Sequence, residues 1–197
     1  INLVKHIPTQ AGLAGGSADA AAAMRLVKKL LKLKVDDNKM IELAKQVGAD
    51  VPFCLMNKPA VVNGIGEKLE FFKMNADFHI LLVKPKRGVS TKVAFSNLDL
   101  KKCNHPDILS MKKALESDDY NGVINNLHNS LEQPSFMMVP QIKEIKEKMI
   151  ELGMDGSLMS GSGSTVFGIT KDLEVLEKVD RYFKTQKLFT RKTSIKK

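Results

Sequence analysis

From Ala20 onward apolar residues recur at Ala20, Ala23, Val27 and Leu30, spaced i, i+3, i+7 and i+10, while Arg25, Lys28 and Lys32 fall elsewhere. That period predicts an amphipathic helix. Its early turns are almost all alanine, small enough for the helix start to lie close to other backbone or to a ligand. A second helix is predicted from an N-cap at Asp36 or Asp37, with Met40, Leu43, Ala44 and Val47 on its buried face and Gly48 as the C′ residue that stops it. Asp50 then falls just past a helix end. The stretch "PAVVNGIGEKLEFF", residues 59 to 72, reads as two short strands around a glycine turn, and Ile80 to Val83 as a buried strand. Between them "KMNADF" carries the least pattern, and a domain boundary is placed there, dividing the chain into 1–75 and 76–197.

Helices are predicted near residues 107 to 117 and 119 to 131. Another starts at Pro140, with Ile142, Ile145, Met149 and Leu152 on one face and Gly153 closing it. The run "SLMSGSGSTVFGIT" then sets strand-like segments around a bare loop holding Gly161 and Gly163. A last helix carries Leu176, Val179 and Phe183, and a final strand is placed near Lys187 to Arg191. This order predicts an α+β fold with helices on one face of a mixed or antiparallel sheet.

Composition narrows the class. With 197 residues and 43% hydrophobic content, the chain is long enough for one large domain or two small ones. No apolar run approaches the roughly 18 to 20 residues that span a bilayer, and the first residues lack the zones of a signal peptide. No membrane association is expected, and a cytoplasmic location is. Cys54 and Cys103 lack metal-ligand spacing and read as reduced thiols. His6, His79, His105 and His128 are dispersed singly, so no metal site built from protein ligands is expected. A net charge of +9 favours an anionic partner. Nucleic acid is disfavoured: the basic residues are spread along helix faces, and only two tyrosines and no tryptophan are there to stack on bases. The basic tail "KTQKLFTRKTSIKK" reads as a solvated terminal strand and end.

The most informative stretch is "IPTQAGLAGGSADAAAAM", residues 7 to 24. A helix presents unpaired N–H groups and the positive end of its dipole at its N-terminus, so a glycine loop entering one is a natural phosphate seat. Gly12, Gly15 and Gly16 fit that role, Ser17 offers a hydroxyl to a phosphate or to Mg²⁺, and Asp19 reads as a cap in the first turn. No lysine follows Gly16 as the P-loop requires, and G-x-G-x-x-G is absent after every candidate strand. The loop belongs to some other nucleotide-binding type.

These residues resemble the second signature of the GHMP kinases, the superfamily of galactokinase, homoserine kinase, mevalonate kinase and phosphomevalonate kinase. Five further segments resemble the same superfamily in order: "GADVPFCL", "GIGEKLE", "LLVKPKRGVST", "HNSLEQPSF" and "LMSGSGSTVFG". The resemblance covers nearly the whole chain. It is strongest to the branch that transfers the γ-phosphate of ATP, with Mg²⁺, to the 2-hydroxyl of 4-diphosphocytidyl-2-C-methyl-D-erythritol, a cytidine diphosphate methylerythritol, in non-mevalonate isoprenoid synthesis. It implies a GHMP kinase fold: a partial ribosomal-protein-S5-like N-terminal domain, then a ferredoxin-like C-terminal domain.

By the same resemblance, the ATP-binding residues are Pro8, Thr9, Gln10, Ala11, Gly12, Leu13, Ala14, Gly15, Gly16, Ser17 and Ala18. Asp50 is the catalytic carboxylate, a weak base that orients the acceptor hydroxyl and takes its proton late. Thr91 matches a position near the methylerythritol end of the substrate, and a helix N-cap is its alternative reading. Gly161 and Gly163 match the third signature, beside the active site. Asn129 and Glu132 match the family without a chemical role and read as helix-terminating. Relatives usually carry a second hydroxyl where this chain has Ala18, which leaves Ser17 as the loop hydroxyl. The family's first signature, with the lysine that pairs with the aspartate, has no counterpart here, so the chain is expected to be N-terminally shortened and inactive alone. The competing readings are another GHMP kinase acting on a different small alcohol, and a non-catalytic nucleotide-binding relative. Oligomeric state is left open.

Overall fold

The computed structural model describes residues 2–99 and 103–195; Ile1 and the last two lysines of the basic tail lie outside them. By contacts the chain divides into two compact units, Ala14–Lys73 and a second formed by Ile1–Leu13 together with Met74–Lys197. The division falls in the weakly patterned stretch after Lys73. The first thirteen residues, however, group with the later unit rather than with a contiguous 1–75 domain, because the backbone of Gln10 and Ala11 is hydrogen-bonded to residues 164 and 165.

The unit Ala14–Lys73 holds α1 (Gly15–Leu30), α2 (Asp37–Val47), α3 (Val51–Met56) and the hairpin β1 (Ala60–Asn63) and β2 (Lys68–Phe71), paired antiparallel. Asp36 caps α2 by accepting from the Lys39 N–H at 2.8 Å, as its position predicts. Gly48 ends that helix in extended backbone, not in the left-handed conformation a C′ glycine usually takes. The core is small: Ala21, Met40, Ala44, Val51 and Leu55, with Ala20, Met24, Val35 and Cys54 against it. Arg25 ties α1 to the end of α3 by donating to the Cys54 and Leu55 carbonyls at 2.9 and 3.1 Å, a cation at the negative helix end.

Here the expected apolar stripes are met only in part, with Met40 and Ala44 buried as expected. Val27, Leu30, Leu43 and Val47 are all exposed, Leu30 by 79% and Val47 by 61%. Three short helices around so small a core bury one row each. In α1 that row runs through the alanines, whose small side chains allow close approach to α3.

The second unit is built on a four-stranded sheet of order β4-β5-β3-β6, antiparallel throughout, from β3 (His79–Lys84), β4 (Gly156–Met159), β5 (Val166–Thr170) and β6 (Phe189–Ser194). On one face, α8 (Gln141–Glu151) and α9 (Leu173–Thr185) bury Leu81, Val83, Ile142, Ile145, Met149, Val166, Leu176, Val179 and Phe183. Successive strand residues point to opposite faces, and the other face is covered too: Phe78 and Ile169 pack with Ala114 of α5 (Ile108–Ser117) and Val123 of α6 (Tyr120–Asn125). Helices therefore lie on both faces, not on one.

The expected helix 119–131 ends at Asn125. A separate α7 (Glu132–Met138) follows, with Pro134 in its first turn, where a missing N–H costs no helical bond. Asn129 and Glu132 thus precede and begin a helix instead of terminating one. Ser90, not Thr91, occupies the N-cap position of α4 (Thr91–Ser96). Strand β6 extends to Ser194 through polar residues, which suits an outer strand paired on one side only.

Candidate functional site

The glycine loop runs from one unit into the other between Leu13 and Ala14. Gln10, Gly12 and Ala14 have φ of 51°, 69° and 48°, left-handed backbone at every second residue. Left-handed residues alternating with right-handed ones are the backbone pattern from which anion-binding concavities are built. A non-glycine residue held left-handed costs roughly 1 to 2 kcal/mol, so the surroundings must impose the shape.

They do so through the carbonyls. Ser164 N–H donates to the Gln10 carbonyl at 3.4 Å, Thr165 N–H to the Ala11 carbonyl at 3.1 Å, and the Ser160 hydroxyl to the Gly12 carbonyl at 2.7 Å. Ala11 is 3% exposed. A methyl group on Gly12 would fall onto the carbonyl oxygen of Ser160, so glycine is obligatory there on two counts, space and φ. Pro8 and Leu13 line a cavity of about 570 Å³ together with His6, Leu82, Phe189 and Arg191.

The second half of the loop, Ala14 to Ala18, is the start of α1. Ala14 is the N-cap residue and contributes no side-chain bond, and the first turn holds no acidic residue. The first-turn N–H groups have no intrahelical acceptor, and nothing lies within 4 Å of where a Gly16 side chain would begin. Asp19 sits beyond the first turn and is not the cap. Pro8 has no N–H, and that of Ala18 is bonded to the Ala14 carbonyl at 2.8 Å, so neither of these two expected ATP-binding residues has a free N–H to offer.

The loop Ser160–Ser164 also organises Thr91, whose hydroxyl lies 2.8 Å from that of Ser162. Gly161 and Gly163 are left-handed at φ 54° and 87°. The Ser164 hydroxyl donates to the Arg87 carbonyl at 2.7 Å, fixing the turn before Thr91. The roles of the three serines in this loop come from the fold, since spacing alone does not reveal which hydroxyl faces which carbonyl.

Asp50 belongs to the unit Ala14–Lys73. It is exposed, stands in the N-cap position of α3 with α-helical backbone, and makes no side-chain cap bond. The Cys54 thiol, one turn along, is pushed up by burial and then by the negative charge of Asp50. It is therefore a poor nucleophile. Among the described residues no group of three His, Cys, Asp and Glu side chains could hold a metal ion, and no helix is long and apolar enough to cross a membrane.

Two family models match the chain, the GHMP kinases N terminal domain over residues 1–58 and the GHMP kinases C terminal model over residues 111–187. A 4-diphosphocytidyl-2-C-methyl-D-erythritol kinase of Clostridium novyi (strain NT) is 42% identical over 94% of this chain and 66% of its own length. The kinase of the same name from Enterococcus faecalis is 42% identical over 86% of the chain and 60% of its own length. The chain thus spans less than two thirds of these relatives. A crystal structure of 4-(cytidine 5'-diphospho)-2C-methyl-D-erythritol kinase superposes with a TM-score of 0.79 at 30% identity, covering 96% of this chain and 67% of that one. A homoserine kinase from Cytophaga hutchinsonii shares the fold at 16% identity with a TM-score of 0.74, over 98% of this chain and 68% of its own.

Proposed function

The chain belongs to the GHMP kinase family, and from that premise we propose that it uses ATP to phosphorylate the 2-hydroxyl of 4-diphosphocytidyl-2-C-methyl-D-erythritol. The observation that carries the ATP half is the loop of alternating left-handed backbone that ends in an uncapped helix start. The substrate half is supported by the names of relatives at 42% identity. The amides between Thr9 and Ser17 hold the triphosphate, Ser17 adds a hydroxyl to phosphate or Mg²⁺, and Gly161 and Gly163 let the neighbouring loop approach. Bound Mg²⁺ neutralises phosphate charge. The acceptor oxygen bonds to the γ-phosphorus as the bond to the ADP oxygen breaks; Asp50 takes the hydroxyl proton and passes it to water. Thr91 positions the methylerythritol end. The setting is the cytoplasm.

Because the chain alone is expected to be inactive without the family's first-signature segment, the test joins that segment to it and measures ADP release with this alcohol, and separately with homoserine, beside an Asp50→Asn variant. Turnover is expected with the cytidine alcohol and falls about 10²- to 10⁴-fold in the variant, with ATP affinity and melting temperature unchanged because Asp50 is exposed. Equal turnover by both proteins removes Asp50 from the mechanism. Turnover with homoserine alone makes this a different GHMP kinase, and ATP binding without any turnover makes it a non-catalytic relative.

A further inference from the structure

Strand β4 is the outer strand of the sheet at its end opposite β6, and among the described residues no fifth strand pairs with its outward backbone groups. Two side chains do so instead. The Glu132 carboxylate accepts the Met159 N–H at 3.0 Å, and the Asn129 amide donates to the Met159 carbonyl and to the Gly161 carbonyl, both at 2.8 Å. The side-chain oxygen of Asn129 accepts from Leu131 N–H at 2.9 Å, and the second Glu132 oxygen accepts from Lys146 at 2.6 Å. Both residues are thereby fixed at either end. The orientation of the Asn129 amide is forced, because flipping it would set its oxygen against two carbonyl oxygens.

The two residues grip the chain at the point where β4 becomes the glycine loop. One residue on, the Ser160 hydroxyl holds the Gly12 carbonyl, and the far side of the same loop holds Gln10 and Ala11. We propose that Asn129 and Glu132 are positioning residues for the nucleotide: they set the loop Ser160–Ser164, which in turn holds Gln10–Gly12 in its left-handed alternation. The proposal rests on the nucleotide reading of that segment. It also accounts for the side chains chosen. The loop needs a group that donates twice while accepting once, which an amide does and a carboxylate does not, and next to it an acceptor for a strand N–H, which glutamate supplies.

The experiment measures amide hydrogen exchange, melting temperature and Mg·ATP affinity on the full chain and on Asn129→Asp, Glu132→Ala and Glu132→Gln. Asn129→Asp keeps the acceptor for Leu131 and loses both donors. Exchange at Ser164 and Thr165 is expected to rise about tenfold, with ATP affinity falling at least as far, while amides of α8 and α9 stay protected. Glu132→Ala repeats the effect, and Glu132→Gln, which keeps the acceptor for Met159, restores affinity to within about twofold of the parent. This pair decides the matter if Asn129→Asp does not fold. Unchanged exchange at Ser164 and Thr165 overturns the proposal. So does faster exchange with unchanged ATP affinity, which would make the two residues mere closure of a sheet edge. If the parent chain itself binds no ATP while exchange responds as expected, the nucleotide reading fails and the mechanical brace stands.

Discussion

Gly12 and Gly16 stand four residues apart in one loop and are glycine for opposite reasons. Gly12 is hemmed in: backbone of Ser160 and Gly163 occupies the space a side chain would need, and its φ is left-handed. Nothing beyond its own helix lies within 4 Å of where a Gly16 side chain would begin, and its backbone is ordinary helix. The first glycine is demanded by the protein's own packing. The second has open space where its side chain would begin, at a helix start whose first N–H groups lack intrahelical acceptors, and under the proposed function that space is the ligand's seat. A glycine-rich motif is therefore not one device but two, an anchor and a seat.

The contrast is sharpest in substitution. Gly12→Ala is expected to cost about 3 kcal/mol or more, since strained φ and backbone overlap add, and to abolish ATP binding; near-parental melting would show that the anchor is soft.

The unit that carries the anchor also depends on Asp180, which is 2% exposed and takes hydrogen bonds from Lys184 at 2.8 Å and Thr190 at 2.6 Å. Burial pushes its carboxyl up, but those hydrogen bonds and the lysine charges outweigh it and hold the group below the usual aspartate range. A depressed folded-state value means stability that is present above about pH 4 and lost as pH falls through the folded value. Asp180→Asn should cost about 2 kcal/mol at neutral pH, with the gap from the parent closing below about pH 4; a gap constant from pH 3 to 7 would refute the charge argument.

Ser160→Ala removes one clamp on Gly12 and should cost about 1 kcal/mol in urea unfolding, with a measurable drop in ATP affinity. The smallest effect has the opposite sign. Gly16→Ala should stabilise the fold by up to about 1 kcal/mol, because alanine is the better helix former, yet weaken ATP binding by placing a methyl in the seat. A loss of stability there would erase the distinction between the two glycines.

Much of this was legible from residue order. The 3.6-residue period located α1, α2, α8 and α9 closely, and Asp36 and Gly153 marked helix ends because capping is local chemistry. What period could not supply was the partner of each face. Val27, Leu30, Leu43 and Val47 carry the right spacing, but burial depends on what lies opposite, and in the unit Ala14–Lys73 the alanine row of α1 was the one that met α3. Likewise α7 went unseen because Pro134 reads as a breaker until its place in the first turn is known. The loop itself was legible as a glycine-rich entry to a helix. Its anchoring was not, since the hydrogen bonds that impose it come from residues about 150 positions later in the chain.

Strand β6 brings a different benefit. It is a mostly polar strand with Arg191 and Lys192 on its two opposite faces, the latter paired to Glu177. An open rim of that kind repels a second sheet instead of recruiting it, and at the opposite rim Asn129 and Glu132 already occupy backbone groups of Met159 and Gly161. With one border charged and the other plugged, the sheet gives neighbouring molecules little to polymerise upon, which favours a protein that tolerates crowding and concentration without forming fibres.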